Sequence, residues 1–394
     1  MQEFAERVLE LAKRSSSWAE VFAIGEEETP VSFEANRLRT IESREVRGLA
    51  LRVVVDGRIG LASASRLDEP EHLVNDALAT ARFGARAAMA YPTGRVDGGA
   101  LDLYDPAVEA LSADALVQMG QQMIDAVRTQ GEELLCDVDV RKSTLAVSVI
   151  NSAGGQASYR KTVLSAGLHA NRVRGTDMLD IYESDASCHL ATLDGVGIVR
   201  AVLGKLELAD PIVPVRTGAL PVIFTPKGVA MTLLAPLAMA LSGKTVLEGS
   251  SPLAGRLGED VFDRAFSLFD DGRVPNRPTS APADDEGVPT QTTALIDRGR
   301  VASFYYDLQT AGLAGTQSTG NGERSLGTLP APGTHALRIP AGAVPFAGML
   351  ADVAEGLLVD QTMGSWAGNL LAGQFAGNVH LGFKVENGRL VGRV

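Results

Sequence analysis

The sequence predicts an α+β fold: an N-terminal domain of antiparallel sheet with helices over residues 1–212, and a β-rich, barrel- or sandwich-like C-terminal domain over residues 213–394. Three observations lead there. Apolar residues alternate with polar ones in several runs that meet at Asp-Gly, Arg-Gly or Asn-Gly turn signals, as hairpins do. Helical spacing occurs in isolated stretches, without the strand–helix alternation that a doubly wound parallel sheet requires. A Pro-punctuated segment, Asp210-Pro211 through Pro214 and Pro221, interrupts the chain near its middle, and 394 residues suit two domains of roughly 100–200 residues each.

The elements follow in order. Phe4, Val8, Leu9, Leu11 and Ala12 have helical spacing over residues 4–14. Trp18 to Ile24 is β-rich, Val31-Ser32-Phe33 alternates, and Leu49, Leu51, Val53 and Val55 keep period two over Arg47 to Val55. Asp56-Gly57-Arg58 turns that strand back into Ile59 to Ala64. A helix is expected over Glu69 to Met89, with Pro70 at its start, where the missing N–H costs little. Residues 91–106 are Pro-, Gly- and Asp-rich and form a loop, and Ala113 to Arg128 is a second helix. Cys136 to Val140, Thr144 to Ile150, Ala157 to Val163 and Ala166 to Asn171 form a β-meander, followed by a helical or mixed stretch over residues 185–204. In the second half a helix is expected from Pro226 to Ser242. Asp270 to Arg273, Asp297 to Arg300 and Glu386 to Arg389 are three turn signals of one style, and Gly-rich loops fill residues 312–333 and 364–378.

Composition excludes several functions. The formal charge of −12, without a basic tract, opposes binding to nucleic-acid phosphates or to anionic membranes. The longest apolar stretch, Val229 to Leu241, is broken by Thr232 and Pro236 and is too short to span a bilayer. Met1-Gln2-Glu3-Phe4 lacks the basic start and apolar run of a signal peptide. Two cysteines, Cys136 and Cys188, make no disulfide framework, and a cytoplasmic setting is expected.

Chemistry-bearing motifs are sparse. None of the five histidines lies within a helical turn of another, so spacing gives no zinc chelate. Ser242-Gly243-Lys244-Thr245 is similar to the end of a phosphate loop, but Ala238 stands where the first glycine is required. Gly249-Ser250-Ser251-Pro252-Leu253 ends in Leu where a nucleophile elbow needs Gly. Asp284-Asp285-Glu286-Gly287 is a dense acidic run suited to a cation or a peptide amine, although charge runs usually form solvated turns. Ser318-Thr319-Gly320-Asn321 combines small polar groups with a backbone that a ligand can approach closely.

Taken in order, several segments resemble the TldD/PmbA family, once labelled modulators of DNA gyrase: Leu49-Ala50-Leu51-Arg52-Val53 with Asp56-Gly57-Arg58, Ala254-Gly255-Arg256-Leu257-Gly258, Asp284 to Thr290, Thr310-Ala311, Ser318 to Asn321, and Gly356-Leu357-Leu358-Val359. In that family's catalytic chains the central helix carries His-Glu, three residues, then His. Counting back without gaps from Ala254-Gly255-Arg256 places those positions at Leu234, Ala235 and Met239, all apolar here. The C-terminal cysteine ligand is also missing. The resemblance therefore implies a PmbA (TldE)-type chain without catalytic or metal residues of its own. It further implies a heterodimer with a TldD-type chain that holds zinc, and cleavage of unfolded peptides in a closed cavity, with peptide maturation as a specialised use. Asp285, Glu286, Gly287, Ser318, Thr319, Gly320 and Asn321 are the expected substrate or interface residues. Two other readings stand beside this one: a stand-alone homodimer that binds peptides without cutting them, and an enzyme using Asp284, Asp285 and Glu286 with a nucleophile of its own.

Overall fold

The computed structural model describes residues 1–98, 101–364, 368–372, 374 and 376–394. The loop expected over residues 364–378 therefore falls partly outside the described residues, as do residues 99 and 100 of the one expected over residues 91–106.

Long strands dominate the N-terminal half. After α1 (Gln2–Ala12) come β1 (Trp18–Glu34), β2 (Arg37–Ile41), β3 (Arg44–Val55) and β4 (Arg58–Ala64), then α2 (Pro70–Ala81), β5 (Arg95–Val96), α3 (Pro106–Glu109) and α4 (Ala113–Arg128). The series continues with β6 (Leu135–Asn151), β7 (Gln156–Arg174), β8 (Asp177–Ser187) and α5 (Gly195–Ala209). These strands form one eight-stranded sheet in the order β4-β3-β1-β6-β7-β5, with β2 also paired to β1 and β8 to β7. All pairs are antiparallel except the short β5–β7 pair.

Several strands exceed expectation. The segments expected as separate strands at 136–140 and 144–150 are one strand, β6, and those at 157–163 and 166–171 are β7. Trp18 to Ile24 and Val31 to Phe33 likewise merge into β1. One face of each strand is polar where the period-two signal fades, so the alternation breaks although the backbone pairing does not. Conversely, the helix expected to reach Met89 stops at Ala81. Past it the chain turns back onto the β3–β4 hairpin: Ile59 N donates to Ala85 O, Ala87 N donates to Gly57 O, and a Cβ on Gly84 would sit 1.7 Å from Ile59 O. The stretch expected as helical or mixed over 185–204 is the end of β8 followed by the start of α5, whose first turn is capped by the Asp194 carboxylate accepting from Gly197 N.

The sheet has two unlike faces. Helices α1 and α2 cover Val21, Ala23, Leu49, Leu51 and Val53, while α4 and α5 cover Val138, Val140, Leu164, Leu168 and Ile181. The opposite face carries Glu20, Phe22, Ile24 and Glu28 of β1 and is met by the C-terminal half beside Phe22 and again, through His380, at Asp180 of β8.

That half begins with β9 (Val222–Phe224) and a helix in pieces: α6 (Pro226–Val229), a π-turn over Ala230–Leu234, and α7 (Ala235–Leu241). Pro236 lacks the N–H that would bond back one turn and its ring crowds that turn, so the widened turn lies where the proline needs room. After α8 (Gly243–Leu247) come β10 (Leu268–Asp271), β11 (Thr292–Asp297) and β12 (Arg300–Val301), α9 (Leu308–Ala314), and the short strands β13 (Gly322–Glu323), β14 (Ala331–Pro332) and β15 (Leu337–Arg338). Helix α10 (Phe346–Ala351) and strands β16 (Glu355–Met363), β17 (Asn378–Glu386) and β18 (Arg389–Arg393) complete the chain. The sheets here are open: β12-β11-β10-β15, β18-β17-β16-β9 and the pair β13-β14. None of them closes into a barrel. Two of the three turn signals make hairpins through paired positive φ values, Arg298 (47°) with Gly299 (82°) and Asn387 (48°) with Gly388 (76°). The third does not, because Asp270 and Asp271 end a strand paired to β11 and β15. Among the described residues no helix is long and apolar enough to cross a membrane.

Candidate functional site

Strand alternation lines up rows of side chains on the face of the large sheet that the helices leave free. Phe22, Val149 and Ala157 form the first row, Ile24, Val147 and Tyr159 the second, and Leu145 and Lys161 belong to the third. Further along come Pro30, Arg141, Ser165 and Ala186, then Ser32, Asp139, Gly167 and Ser184, and finally His169 beside Tyr182. The floor thus changes from apolar to small and polar along the strands. Above it run residues 277–285 and 321–335 of the C-terminal half. They roof the apolar end into a cavity of about 300 Å³, bounded by Leu145, Tyr159, Lys161, Asp285, Asn321 and His335. The polar end is an open hollow of about 710 Å³, bounded among others by Arg141, Ser165, His169, Asp185 and Arg277. Thr279 borders both, so the two are parts of one trough.

The roof is fixed by a buried ion network. Arg52 Nη1 donates to Glu286 Oε1 at 2.6 Å and Arg52 Nη2 to Glu20 Oε2 at 2.8 Å. Glu20 Oε1 also accepts from Arg324 Nη2 at 2.7 Å, and Glu286 Oε2 accepts from Leu308 N, at the start of α9, at 2.7 Å. All four charged side chains are at most 1 % exposed. Asp284 accepts from Glu286 N, Val288 N and Gly322 N, which shapes the turn. Burial pushes the Glu286 carboxyl up to about 7, opposed by the Arg52 charge, and burial beside Glu286 also pushes Asp284 well above the usual carboxylate range. The acidic run is therefore no solvated turn. Its partner Arg52, and Glu20 beyond that, lie more than 200 residues upstream, and no local pattern links them to it.

The remaining candidates sit close by. Gly287 takes φ +77° against Val149. Asn321 Nδ2 donates to Asp270 Oδ2 at 2.5 Å and to Gly333 O at 2.7 Å, and its Oδ1 accepts from Thr319 Oγ1 at 2.7 Å. Ser318 Oγ accepts from Gly320 N, and Gly320, at φ +74°, approaches Pro289 O so closely that a Cβ would lie 2.5 Å away. Of the seven, Asp285 and Asn321 line the roofed cavity, whereas Glu286, Gly287, Ser318, Thr319 and Gly320 build the wall behind it. Sequence reasoning did not single out Tyr159, Lys161, Asp270 or His335. Asp270 holds His335 by its backbone N at 2.8 Å and lies 3.3 Å from its Nδ1.

On the central helix, Leu234 and Ala235 are half-buried and Met239 is exposed. These side chains offer no nitrogen, oxygen or thiolate donor, so a catalytic zinc does not fit the helix. Elsewhere the fold brings His169 and His380 to one carboxylate, Asp180, at 3.4 and 3.2 Å. Among the described residues no group of three or more His, Cys, Asp and Glu is arranged to hold a metal. Cys136 and Cys188 are buried and free, and burial pushes both thiols up to about 11.

Comparison with known proteins places this arrangement. Residues 19–81 match the PmbA/TldA metallopeptidase domain 1 and residues 217–394 the PmbA/TldA metallopeptidase C-terminal domain, together more than half of the chain. The metalloprotease PmbA of Escherichia coli O157:H7 is 26% identical over 99% of this chain and 86% of that protein. A metalloprotease TldD homologue of Haemophilus influenzae is 30% identical, but the match spans 49% of this chain and 42% of that protein. The crystal structure of TldE from Thermococcus kodakarensis superposes with a TM-score of 0.88 at 26% identity, covering 99% of this chain and 89% of that one. A Thermotoga maritima protein described as a modulator of DNA gyrase shares the fold at a TM-score of 0.89 and 22% identity, covering 100% of this chain and 90% of that one. The chain belongs to the PmbA/TldD metallopeptidase family.

Proposed function

We propose that the chain is the zinc-less, PmbA/TldE-type subunit of a two-chain metallopeptidase that cleaves unfolded peptides. It walls the reaction chamber and positions the substrate, while a TldD-type partner holds the zinc. On its own the chain is inactive. The observation that carries this reading is the central helix: from Pro226 to Leu241 it contains no His, Cys, Asp or Glu. A zinc peptidase needs one metal to polarise the scissile carbonyl and activate water, and a second subunit contributes without one by shaping access.

A further feature supports it. The trough, with Asp285 and Asn321 at its roofed end, is long enough for an extended segment of chain. From Ile24 to Ser32 the floor runs about 25 Å at strand rise. The work is placed in the cytoplasm, where the two free thiols stay reduced.

Co-expression with the TldD-type chain of the same source tests the pairing. A single 1:1 complex on size exclusion is expected; a chain that elutes only as its own homodimer beside an unassociated partner sinks this reading in favour of a stand-alone peptide binder.

A further inference from the structure

Residues Ile339 to Ala351 are thirteen in a row without a side chain that forms a hydrogen bond or carries a charge. A run of that composition belongs in a core, yet none of the thirteen is buried. Ile339 is 41% exposed, Val344 55%, Phe346 47% and Met349 39%. Helix α10, which the run contains, buries none of its six residues. So short a helix gains its stability from packing, and a helix apolar on every side is ordinarily covered. The run is nonetheless held from beneath. Leu350 packs against the core to which Leu358, Leu381 and Val385 belong. Asn387 N and Gly388 N, in the turn between β17 and β18, donate to Ala354 O and Val353 O, and a Cβ on Gly388 would lie 3.1 Å from the Ala351 Cα. Val344 and Phe346 are thus displayed to the outside by an anchored backbone. Polar side chains border the run at its two ends: Arg338, tied to Asp271, and Asp352.

A lipid surface, a second copy or a partner chain can cover such a face, and charge and area separate them. The run has no Trp, Tyr, Lys or Arg of the kind that anchors a segment at a membrane interface, and the charge of −12 opposes anionic lipid. The same charge on two molecules opposes pairing with a second copy. The exposed side chains offer on the order of 600 Å², at the top of what a monomer leaves bare and most of the roughly 800 Å² that each partner gives to a standard interface. Permanent interfaces are the apolar kind, and a two-chain enzyme needs one. We propose that the face formed by Ile339–Ala351 is the apolar centre of the interface with the TldD-type chain, with Val344 and Phe346 as its anchors and Arg338 and Asp352 at its rim. The inference rests on the reading of this chain as one of two subunits and adds the surface through which they meet.

The test uses the full-length chain and the TldD-type chain of the same source, with affinity read by calorimetry. Val344→Asp and Phe346→Asp each put a charge at the centre of the face without entering the core. Each is expected to weaken pairing at least about thirtyfold, the loss of one hot spot. Phe83→Asp, at a residue 89% exposed in the N-terminal half, is the control and should pair as the native chain does. Circular dichroism melts establish that every variant folds. Independently of any substitution, amide hydrogen exchange over residues 339–351 should slow in the complex. Native-like pairing by both Asp variants, or unchanged exchange over that run, overturns the surface and leaves the two-subunit reading standing. Equal weakening by Phe83→Asp overturns it too, because any added charge then suffices. Failure of the native chain to pair at all overturns the two-subunit reading, and this surface with it. A native homodimer that Phe346→Asp dissolves while pairing with the TldD-type chain persists overturns the assignment in favour of a second copy. Binding of the native chain to phosphatidylcholine vesicles that the same variant abolishes, with pairing intact, overturns it in favour of lipid.

Discussion

Arg52 and Glu286, 234 residues apart, meet at 2.6 Å with both side chains at most 1 % exposed. One comes from β3 of the large sheet and the other from the acidic run of the C-terminal half, so the pair joins the floor of the trough to its roof. Glu20 and Arg324 extend the same link, which makes the acidic run a fastening between the two halves and not a free ligand loop.

Removing one member strands the others. Arg52→Met leaves Glu20 with one cation and Glu286 with only a backbone donor, both out of water. A loss of about 3–5 kcal/mol is expected from breaking a buried ion network in this way. Urea denaturation followed by circular dichroism measures it, and a loss within the range of an exposed ion pair would contradict the burial.

The pH dependence has a definite sign. The Glu286 carboxyl rises from 4.5 to about 7 on folding, and Asp284 rises too. A carboxyl raised in the folded state contributes stability that is full below its unfolded value and is lost as pH climbs through the folded one. Glu286→Gln, which mimics the neutral form, should therefore gain ground on the native chain as pH goes from about 5 to about 8. Melting temperatures of both proteins across that window check it.

The loop behind the cavity separates structural from peripheral residues. Asn321 spends both amide hydrogens and its oxygen inside the protein, so Asn321→Ala should cost about 1–3 kcal/mol by stranding Gly333 O and leaving Asp270 with His335 alone. Ser318 is partly exposed, and Ser318→Ala should stay within about 1 kcal/mol. Comparable losses at both sites would refute this division.

Gly320→Ala should be worse than its size suggests. The residue holds φ +74°, and a Cβ there meets Pro289 O at 2.5 Å, so strain and clash add. A cost of about 1–3 kcal/mol is expected, read by thermal melting.

How far the sequence carried follows from where its signals are local. The hairpins at Asp56-Gly57, Arg298-Gly299 and Asn387-Gly388 were legible because positive φ demands those residue types. Helix α4 was legible to the residue, since its apolar stripe begins just after the Ser112 cap. The Asp270-Asp271-Gly272 signal looked the same yet ends a strand, because Asp270 is held by Asn321 and His335 from distant chain. Strand β8 escaped for a related reason: Asp177, Asp180, Glu183 and Asp185 mask the buried Leu179 and Ile181. The site was half legible. Its acidic run and Gly-rich loop stood out as unusual, but the trough exists only through strand register across β1, β6 and β7, which no local pattern encodes.

The central claim is that this subunit shapes the chamber and another chain holds the metal. Zinc content and cleavage of an unfolded peptide, measured on the purified chain alone and on its 1:1 mixture with the TldD-type chain of the same source, test it most directly. The account predicts no bound zinc and no cleavage for the chain alone, and both for the mixture. Stoichiometric zinc or peptide cleavage by the chain alone would contradict it, and would point to the His169–Asp180–His380 cluster and to Asp285 and His335 at the roofed cavity.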